Sequence, residues 1–145
     1  MDAALETFFT VDVPDMPVEP FTAAGLDHAE RALMDRFSSV EPLLAIDNAG
    51  VVDRFQRFLG ETFIRSGLGG HWKNVRITDD DTDVLFCRRG FEPVVCHPFT
   101  PAFLDVGSLV LGAVEGRTFH EWSWVYGNCV VDYGDWVAEG RPSIS

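Results

Sequence analysis

Among the side chains with the types needed for acid–base chemistry, His97, His120 and Glu121 form the candidate set for a catalytic or ligand-binding site. An imidazole titrates near neutral pH and works with a neighbouring carboxylate in general acid–base catalysis. If the three groups converge within roughly 3 Å of a common point in a pocket, the chain is a small hydrolase or a ligand-binding domain. Because adjacent strand residues point to opposite faces, Cys96 and His97 do not form a nucleophile–base pair by themselves. No sequence motif links these three residues. The hydrolase or ligand-binding hypothesis is therefore kept as the alternative to a non-enzymatic function.

The sequence lacks the common metal and phosphate motifs. His71, His97 and His120 have no ligand partner at a metal spacing such as H-x-x-x-H. The acidic segment 79–83, DDDTD, lacks the central glycine and the distal glutamate of an EF-hand loop, and we interpret it as a turn. GLGG at 67–70 leads into no Lys-Ser/Thr helix start, so it is interpreted as a helix stop. We therefore predict no cofactor, no metal and no enzymatic activity.

Spacing also limits what the cysteines can do. Cys87, Cys96 and Cys129 are odd in number and have no metal-type spacing. With Arg89-Gly90 as a hairpin loop, Cys96 lies on the order of 13 Å from the position paired with Cys87, which is too far for a disulfide. We interpret all three as reduced, buried thiols.

Net charge separates the possible partner classes. The chain carries −12, and residues 1–30 contain seven acids and no lysine or arginine. This acidity argues against nucleic acid and anionic membranes and is compatible with a basic protein partner, although it also simply favours solubility. No apolar run reaches the roughly 18 residues of a membrane span, and the acidic N-terminus lacks the basic region of a secretory signal. We therefore expect a cytoplasmic protein.

Aromatic residues are concentrated near the C-terminus. Five large rings fall within fifteen residues and are interleaved with acids: Trp122, Trp124, Tyr126, Tyr133 and Trp136. Core packing accounts for Trp122, but tryptophan and tyrosine are also favoured at protein interfaces, so both interpretations stay open for the others. The predicted partner contacts are Asp79, Asp80, Asp81, Trp124, Tyr126 and Trp136.

One long amphipathic helix organises these elements. Apolar residues recur at spacings of three and four from Val51 to Phe63, which places them on one side of a helix. Asp47 is predicted to cap its start, and Gly67 to end it in the left-handed conformation.

The remaining pattern predicts a single domain, 1–145, with an extended arm over 1–21 and a globular part over 22–145. A first helix is expected over 23–39 with Thr22 as its cap, and a short helical segment over 42–46. Strands are predicted over 73–77, 84–87 and 91–97, with Pro93 at an edge or a bulge.

Two further helices are expected towards the C-terminus. Thr100-Pro101 is predicted to start a helix that ends at Gly116. Thr118 and Glu121 match a capping box for a second helix, although the alternation from Thr118 to Tyr126 also permits a strand. Residues 129–133 are interpreted as a short extended piece. The predicted fold class is α+β: N-terminal helices packed on a three-stranded antiparallel meander, followed by one or two C-terminal helices.

Three short motifs carry a family resemblance: Phe58-Leu59-Gly60-Glu61-Thr62-Phe63, Gly69-Gly70-His71-Trp72 and His97-Pro98-Phe99. Over about residues 50–125 the chain resembles a group of small uncharacterised bacterial α+β domains, several of which resemble immunity proteins that inhibit secreted toxins. No catalytic residues come with the resemblance.

The hypothesis that follows is a non-enzymatic, cytoplasmic protein-binding domain, an immunity-type inhibitor that covers the basic active cleft of a toxin. Acids at the rim would speed encounter, while buried rings would set the off-rate. A homo-oligomeric structural subunit is a further alternative, and the sequence leaves open whether the chain is a monomer or a homodimer.

Overall fold

The computed structural model describes residues 2–76 and 91–143. Its helices are α1 (Asp2–Thr7), α2 (Ala23–Arg36), α3 (Val40–Leu43), α4 (Ala49–Arg65), α5 (Val106–Gly116) and α6 (Glu121–Ala138). A π-helical turn, Phe8–Asp12, follows α1, and a 3₁₀ turn, Ile46–Asn48, precedes α4. The strands are β1 (His71–Arg76), β2 (Phe91–Cys96) and β3 (Phe103–Leu104). Helices come first, then the strands, then two further helices, so the predicted α+β class is confirmed.

The sheet is antiparallel, with the strand order β1-β2-β3. His71 pairs with Cys96 and Arg76 with Phe91, while Val95 pairs with Leu104. The strands of the sheet therefore differ from those predicted. In the predicted meander the strand over 84–87 lies between the other two, whereas β1 pairs directly with β2 and the third strand is Phe103–Leu104. The predicted strand over 84–87 lies outside the described residues.

Helix α4 supplies the centre of the core, as its periodicity predicted. Five of its apolar side chains are almost completely buried: Val52, Phe55, Phe58, Leu59 and Phe63. Burial of each such side chain contributes roughly 1.5–3 kcal/mol to folding. The helix ends before Gly67, whose φ of +82° confirms the predicted glycine stop. Its start differs from the prediction, because the N-cap position is Asn48 rather than Asp47 and no side chain caps it.

Residues 2–12 are helical, so the prediction of an extended arm over 1–21 is wrong for this part. The prolines that suggested an extended chain begin only at Pro14. Before them, Leu5 and Phe8 are buried against α4. The Phe8 ring stacks on Phe58 with 4.7 Å between centroids.

Helix α2 begins where its predicted cap places it, but α3 and α5 begin at residues other than those predicted. Thr22 accepts a hydrogen bond from the Gly25 amide, which confirms it as the cap of α2. The short helix begins at Val40 instead of residue 42. Thr100-Pro101 does not start a helix, since Phe103 and Leu104 pair with β2 and the Asp105 carboxylate caps α5 through the Ser108 amide.

Helix α6 is one continuous helix of 18 residues. The predicted extended piece over 129–133 is therefore wrong, and the helix was the correct choice for the stretch after Thr118. The predicted capping box is also wrong, because the N-cap position is His120 and its side chain makes no capping bond. The cap comes instead from α2: the Glu30 carboxylate accepts hydrogen bonds from the amides of Glu121 (3.2 Å) and Trp122 (2.7 Å).

Candidate partner-binding surface

The inner side of α6 fastens the helix to the body of the domain. Trp122 is completely buried and donates its indole N–H to the Leu109 carbonyl oxygen at 2.9 Å. One turn later, the Tyr126 ring meets Phe63 edge-on at 5.6 Å. Cys129 is half-buried against the same core. Trp122 is the one fully buried residue of α6, so most of this helix keeps contact with water.

The outer side of α6 is apolar although it is exposed. We call it the outer face; its residues recur at spacings of three and four, and they are Trp124, Gly127, Val131, Gly134 and Ala138. Trp124 is 68% exposed and Val131 60%. Val130 (44%) and Val137 (37%) widen the stripe along one edge. Isolated apolar residues on a surface need no explanation, but a contiguous apolar stripe is a candidate interaction site.

Acidic residues flank the outer face. Asp132, Asp135 and Glu139 are exposed near the C-terminal end of α6, and no lysine or arginine lies between Arg117 and Arg141. The last turn of a helix carries partial negative charge, so Asp135 and Glu139, at the end of α6, are unfavourable there by roughly 0.3–1 kcal/mol each. A cationic group placed beside them would relieve this repulsion.

The three aromatic residues that were predicted as partner contacts lie in different environments. Trp124 is exposed on the outer face. Tyr126 points inward to Phe63, and we leave it out of the face. Trp136 is half-buried: its indole N–H donates to the Pro142 carbonyl oxygen at 2.9 Å, and the Arg141 guanidinium lies over its ring. Asp79, Asp80 and Asp81 lie outside the described residues.

Sequence reasoning missed the valines and glycines of the outer face. The extended piece predicted over 129–133 includes Val130 and Val131, and the predicted helical spacing reaches only Tyr126. Continuing the helical spacing from Trp124 through residue 138 would have revealed the stripe, because Val131 and Ala138 follow Trp124 at intervals of seven.

The three residues of the hydrolase hypothesis have different neighbours. His97 is buried and its ring lies between those of Phe63 and Phe99, at 6.3 and 5.0 Å. His120 is exposed and faces the Asp27 carboxylate at 3.2 Å. Glu121 lies near Glu30. In the part of the chain that the structure describes, none of these contacts joins His97 to the other two.

Burial shifts the titration of several of these groups. It lowers the pKa of His97, with a smaller contribution from His71, so the imidazole is held neutral. Burial raises the pKa of Glu30, although the two amides that it caps oppose this shift. Burial and the nearby Glu30 raise the pKa of Glu121. Two carboxyl groups with raised pKa values therefore lie together where α2 meets α6.

Cysteine placement agrees in part with the sequence analysis. Cys96 and Cys129 are free thiols, as predicted, but they are half-buried rather than buried. Burial, with a smaller effect from Asp132, raises the pKa of Cys129 and so keeps it protonated. Cys87 lies outside the described residues.

Within residues 2–76 and 91–143, no cluster of three histidine, cysteine or acidic side chains is arranged to hold a metal ion. No helix in this part of the chain is long and apolar enough to cross a membrane. Comparison of the whole chain with protein families, curated proteins and solved structures gave no match. The fold and its surfaces thus define the class, an acidic α+β domain with an exposed apolar helix face.

Proposed function

We propose that this chain is a non-enzymatic, cytoplasmic protein-binding domain that docks the outer face of α6 against a basic protein, and that it acts as an immunity-type inhibitor of a toxin. The observation that carries the proposal is the exposure of Trp124 and Val131 on a stripe bordered by acids. A partner that covers this stripe removes apolar surface from water and meets the acids with its own cations.

Apolar anchors in the stripe favour a stable complex. Burying exposed apolar surface contributes roughly 25 cal/mol per Å², and tryptophan is among the residues most enriched at energetic hot spots. The glycines at 127 and 134 have no atom within 4 Å of the position a Cβ would take, so a partner helix can approach closely there.

Charge argues for a basic partner rather than a second copy of this chain. Each copy carries −12, and Asp132, Asp135 and Glu139 border the same stripe in every copy. Self-association would bring these like charges together, whereas a basic cleft would pair with them. Toxins that act on phosphate-containing substrates need such clefts, which links the charge to an inhibitory role.

The test captures the partner and then uses the outer face to decide whether the capture is specific. The purified chain is immobilised, exposed to lysate of the source cells and eluted with increasing salt, and the partner is identified by mass spectrometry. We expect a stoichiometric partner with a basic surface that the Val131→Asp variant no longer retains. Val18→Asp is the matched control, since Val18 is fully exposed outside α6, and it should retain the partner.

Growth then tests the inhibitory role. Expression of the captured partner alone should arrest growth, and co-expression of this chain should restore it, while Val131→Asp should fail to do so. The proposal is overturned if both variants retain the partner equally, if no stoichiometric partner is captured, or if the partner is harmless. Sedimentation of the free chain as a dimer that Val131→Asp dissociates would assign the outer face to self-association instead.

A further inference from the structure

A cleft opens where the end of α5 meets the first turn of α6. Its volume is about 370 Å³, which lies within the range of small-molecule sites. The residues that line it are Gly112, Gly116, Thr118, His120, Glu121 and Trp124. Trp124 also belongs to the outer face of α6, so the cleft continues that face at the N-terminal end of the helix.

Two glycines of α5 leave this space open. They lie one helical turn apart, and both line the cleft. A Cβ at Gly112 would lie 3.0 Å from Oε1 of Glu121, so the carboxylate rests directly against the backbone of α5. At Gly116 the nearest atom to a Cβ would be the Thr118 methyl group at 3.9 Å, so there is room for a side chain at this position.

The Glu121 carboxylate forms the anionic wall of the cleft. Glu121 is half-buried, and within the part of the chain that the structure describes its carboxylate meets neither a hydrogen-bond donor nor a cation. Burial and a second acid, Glu30 of α2, both raise the pKa of Glu121. A cation in the cleft would favour the charged form of this carboxylate and so act against both effects.

The positive groups at the start of α6 have other partners. His120, at the rim of the cleft, faces the Asp27 carboxylate of α2 at 3.2 Å. The first turn of a helix carries partial positive charge, but Glu30 already accepts hydrogen bonds from the first amides of α6. Among the described residues, Glu121 is therefore left without a counterion of its own.

The Trp124 indole provides the second half of the recognition. Glu121 and Trp124 lie three residues apart on α6, so their side chains are neighbours and can contact one occupant together. Trp124 is 68% exposed, so an occupant can reach its ring. The face of an indole ring attracts cations. Arginine suits both groups better than lysine, because its planar guanidinium stacks on aromatic rings and donates in a fork that matches a carboxylate.

We propose that this cleft binds one arginine side chain of the protein partner, with the guanidinium between the carboxylate of Glu121 and the ring of Trp124. The aliphatic stem of the arginine lies along the glycines of α5. This inference rests on the proposed function, and it names the group of the partner that the N-terminal end of the outer face recognises. The binding is non-covalent.

The first test needs no partner. The full chain is titrated at constant ionic strength with butylguanidinium, which reproduces the arginine side chain, and with its neutral analogue butylurea. NMR follows the indole N–H of Trp124 and the side-chain carboxyl carbon of Glu121. We expect butylguanidinium to shift both signals with a dissociation constant on the order of 10 mM, as befits so small a ligand. It should bind at least about threefold more tightly than butylurea.

Two variants test the assigned contacts. Glu121→Gln keeps the shape of the side chain and should weaken butylguanidinium binding about threefold while leaving butylurea unaffected. Gly116→Leu fills the cleft and should prevent the binding of both ligands. Glu115→Gln is the matched control, since it removes an exposed acid of α5 that does not line the cleft, and it should change neither affinity. Urea unfolding checks that each variant is folded.

The second test uses the captured partner. Each arginine and lysine on its surface is changed to methionine in turn, and the affinity is measured for the parent chain and for Glu121→Gln. We expect one arginine to be coupled to Glu121. The two substitutions together should then weaken binding at least about threefold less than the product of their separate effects.

The proposal is overturned if butylguanidinium and butylurea bind equally, if Glu121→Gln and Gly116→Leu leave ligand and partner binding intact, or if no arginine is coupled to Glu121. Coupling to a lysine alone would likewise overturn the assigned side chain. In these cases a partner that Val131→Asp releases still supports the proposed function. Failure to capture any partner removes the proposed function instead, while the butylguanidinium titration still decides whether the cleft recognises a guanidinium group.

Discussion

At the scale of single residues, the space beside Gly60 determines how α4 meets the sheet. A Cβ at this position would lie 2.0 Å from Cη2 of Trp72, so the indole ring packs directly on the helix backbone. The same ring donates to Glu61, which also accepts from Arg65 at 3.0 Å. The Gly60-Glu61 step and the tryptophan at the start of β1 thus form one contact.

Gly60→Ala should therefore destabilise the protein by about 1–3 kcal/mol, because the added methyl group displaces a packed ring. The Trp72 indole N–H resonance should shift as its bond to Glu61 is lost. Urea unfolding measures the first effect and NMR the second. Gly50→Ala is the control on the same helix: its Cβ would meet only Arg54 at an ordinary 3.5 Å, so its stability should stay within about 0.5 kcal/mol of the parent. Equal effects of the two substitutions would contradict the packing argument.

At the scale of elements, local signals predicted some boundaries and tertiary contacts set the others. Thr22 and Gly67 act on neighbouring backbone, so the sequence around them was sufficient. The start of α6 is different, because its cap is Glu30, about ninety residues earlier in the chain. A cap supplied by a residue so distant in the chain cannot be predicted from the local sequence. The local pattern at Thr118 predicted the wrong capping residue.

Glu30 makes the stability of this helix start depend on pH. Burial raises the pKa of its carboxyl group, so the folded state keeps the proton to a higher pH than the unfolded state does. The stabilisation from this group is full below the unfolded-state pKa and is lost as the pH rises through the raised folded-state pKa. Glu30→Gln cannot titrate. We therefore expect the unfolding free energy of the parent, relative to this variant, to fall as the pH is raised from about 4 to about 7.

Chemical denaturation of both proteins across this range measures the difference. Glu30→Ala is the companion variant: it leaves two helix amides without a partner and opens a cavity, so it should cost about 2–4 kcal/mol at every pH. A difference between the parent and Glu30→Gln that stays flat, or that grows with pH, would show that the capping bonds outweigh burial.

The two glycines of the outer face give an element-scale test that separates folding from binding. Gly127 is an exposed residue in the interior of the α6 sequence, and no atom lies near the position its Cβ would take. Because alanine has a higher helix propensity than glycine, Gly127→Ala should stabilise the free protein by about 0.5–1 kcal/mol. The same methyl group should obstruct a partner and weaken its binding about tenfold. Asn128→Ala, on the neighbouring acidic side, should also raise helix stability but leave affinity unchanged. Thermal unfolding and calorimetry with the captured partner supply the two measurements, and unimpaired binding by Gly127→Ala would argue against close approach at the outer face.

At the scale of the whole molecule, the N-terminal residues belong to the core although their composition suggested an arm. Asp12 is buried and accepts two hydrogen bonds from the Arg54 guanidinium, so one acid of the acidic N-terminal segment is neutralised inside. Sequence composition counts that charge together with the exposed ones and cannot tell them apart. Composition does predict the sign of the protein's overall electrostatic field, because that sign depends on the sum of the charges and not on their positions.

That field and the outer face should control different steps of partner binding. Acids on an exposed surface steer a basic partner over distances up to the Debye length, about 10 Å at 0.1 M salt, so they act on the association rate. Contacts of Trp124 form only after docking, so they act on the dissociation rate. We expect the association rate to fall about tenfold or more between about 20 mM and about 200 mM sodium chloride, with little change in dissociation.

Two variants test which residues control association and which control dissociation, in stopped-flow or surface-plasmon resonance measurements with the captured partner. The double variant Asp135→Asn/Glu139→Gln should slow association and flatten its salt dependence, because it removes two of the acids that border the outer face. Trp124→Ala should leave association almost unchanged and speed dissociation about tenfold or more, since an exposed ring that becomes buried in the complex is lost. If Trp124→Ala altered only association, or if the double variant altered only dissociation, the ring and the acids would not have the separate roles that their positions on α6 give them.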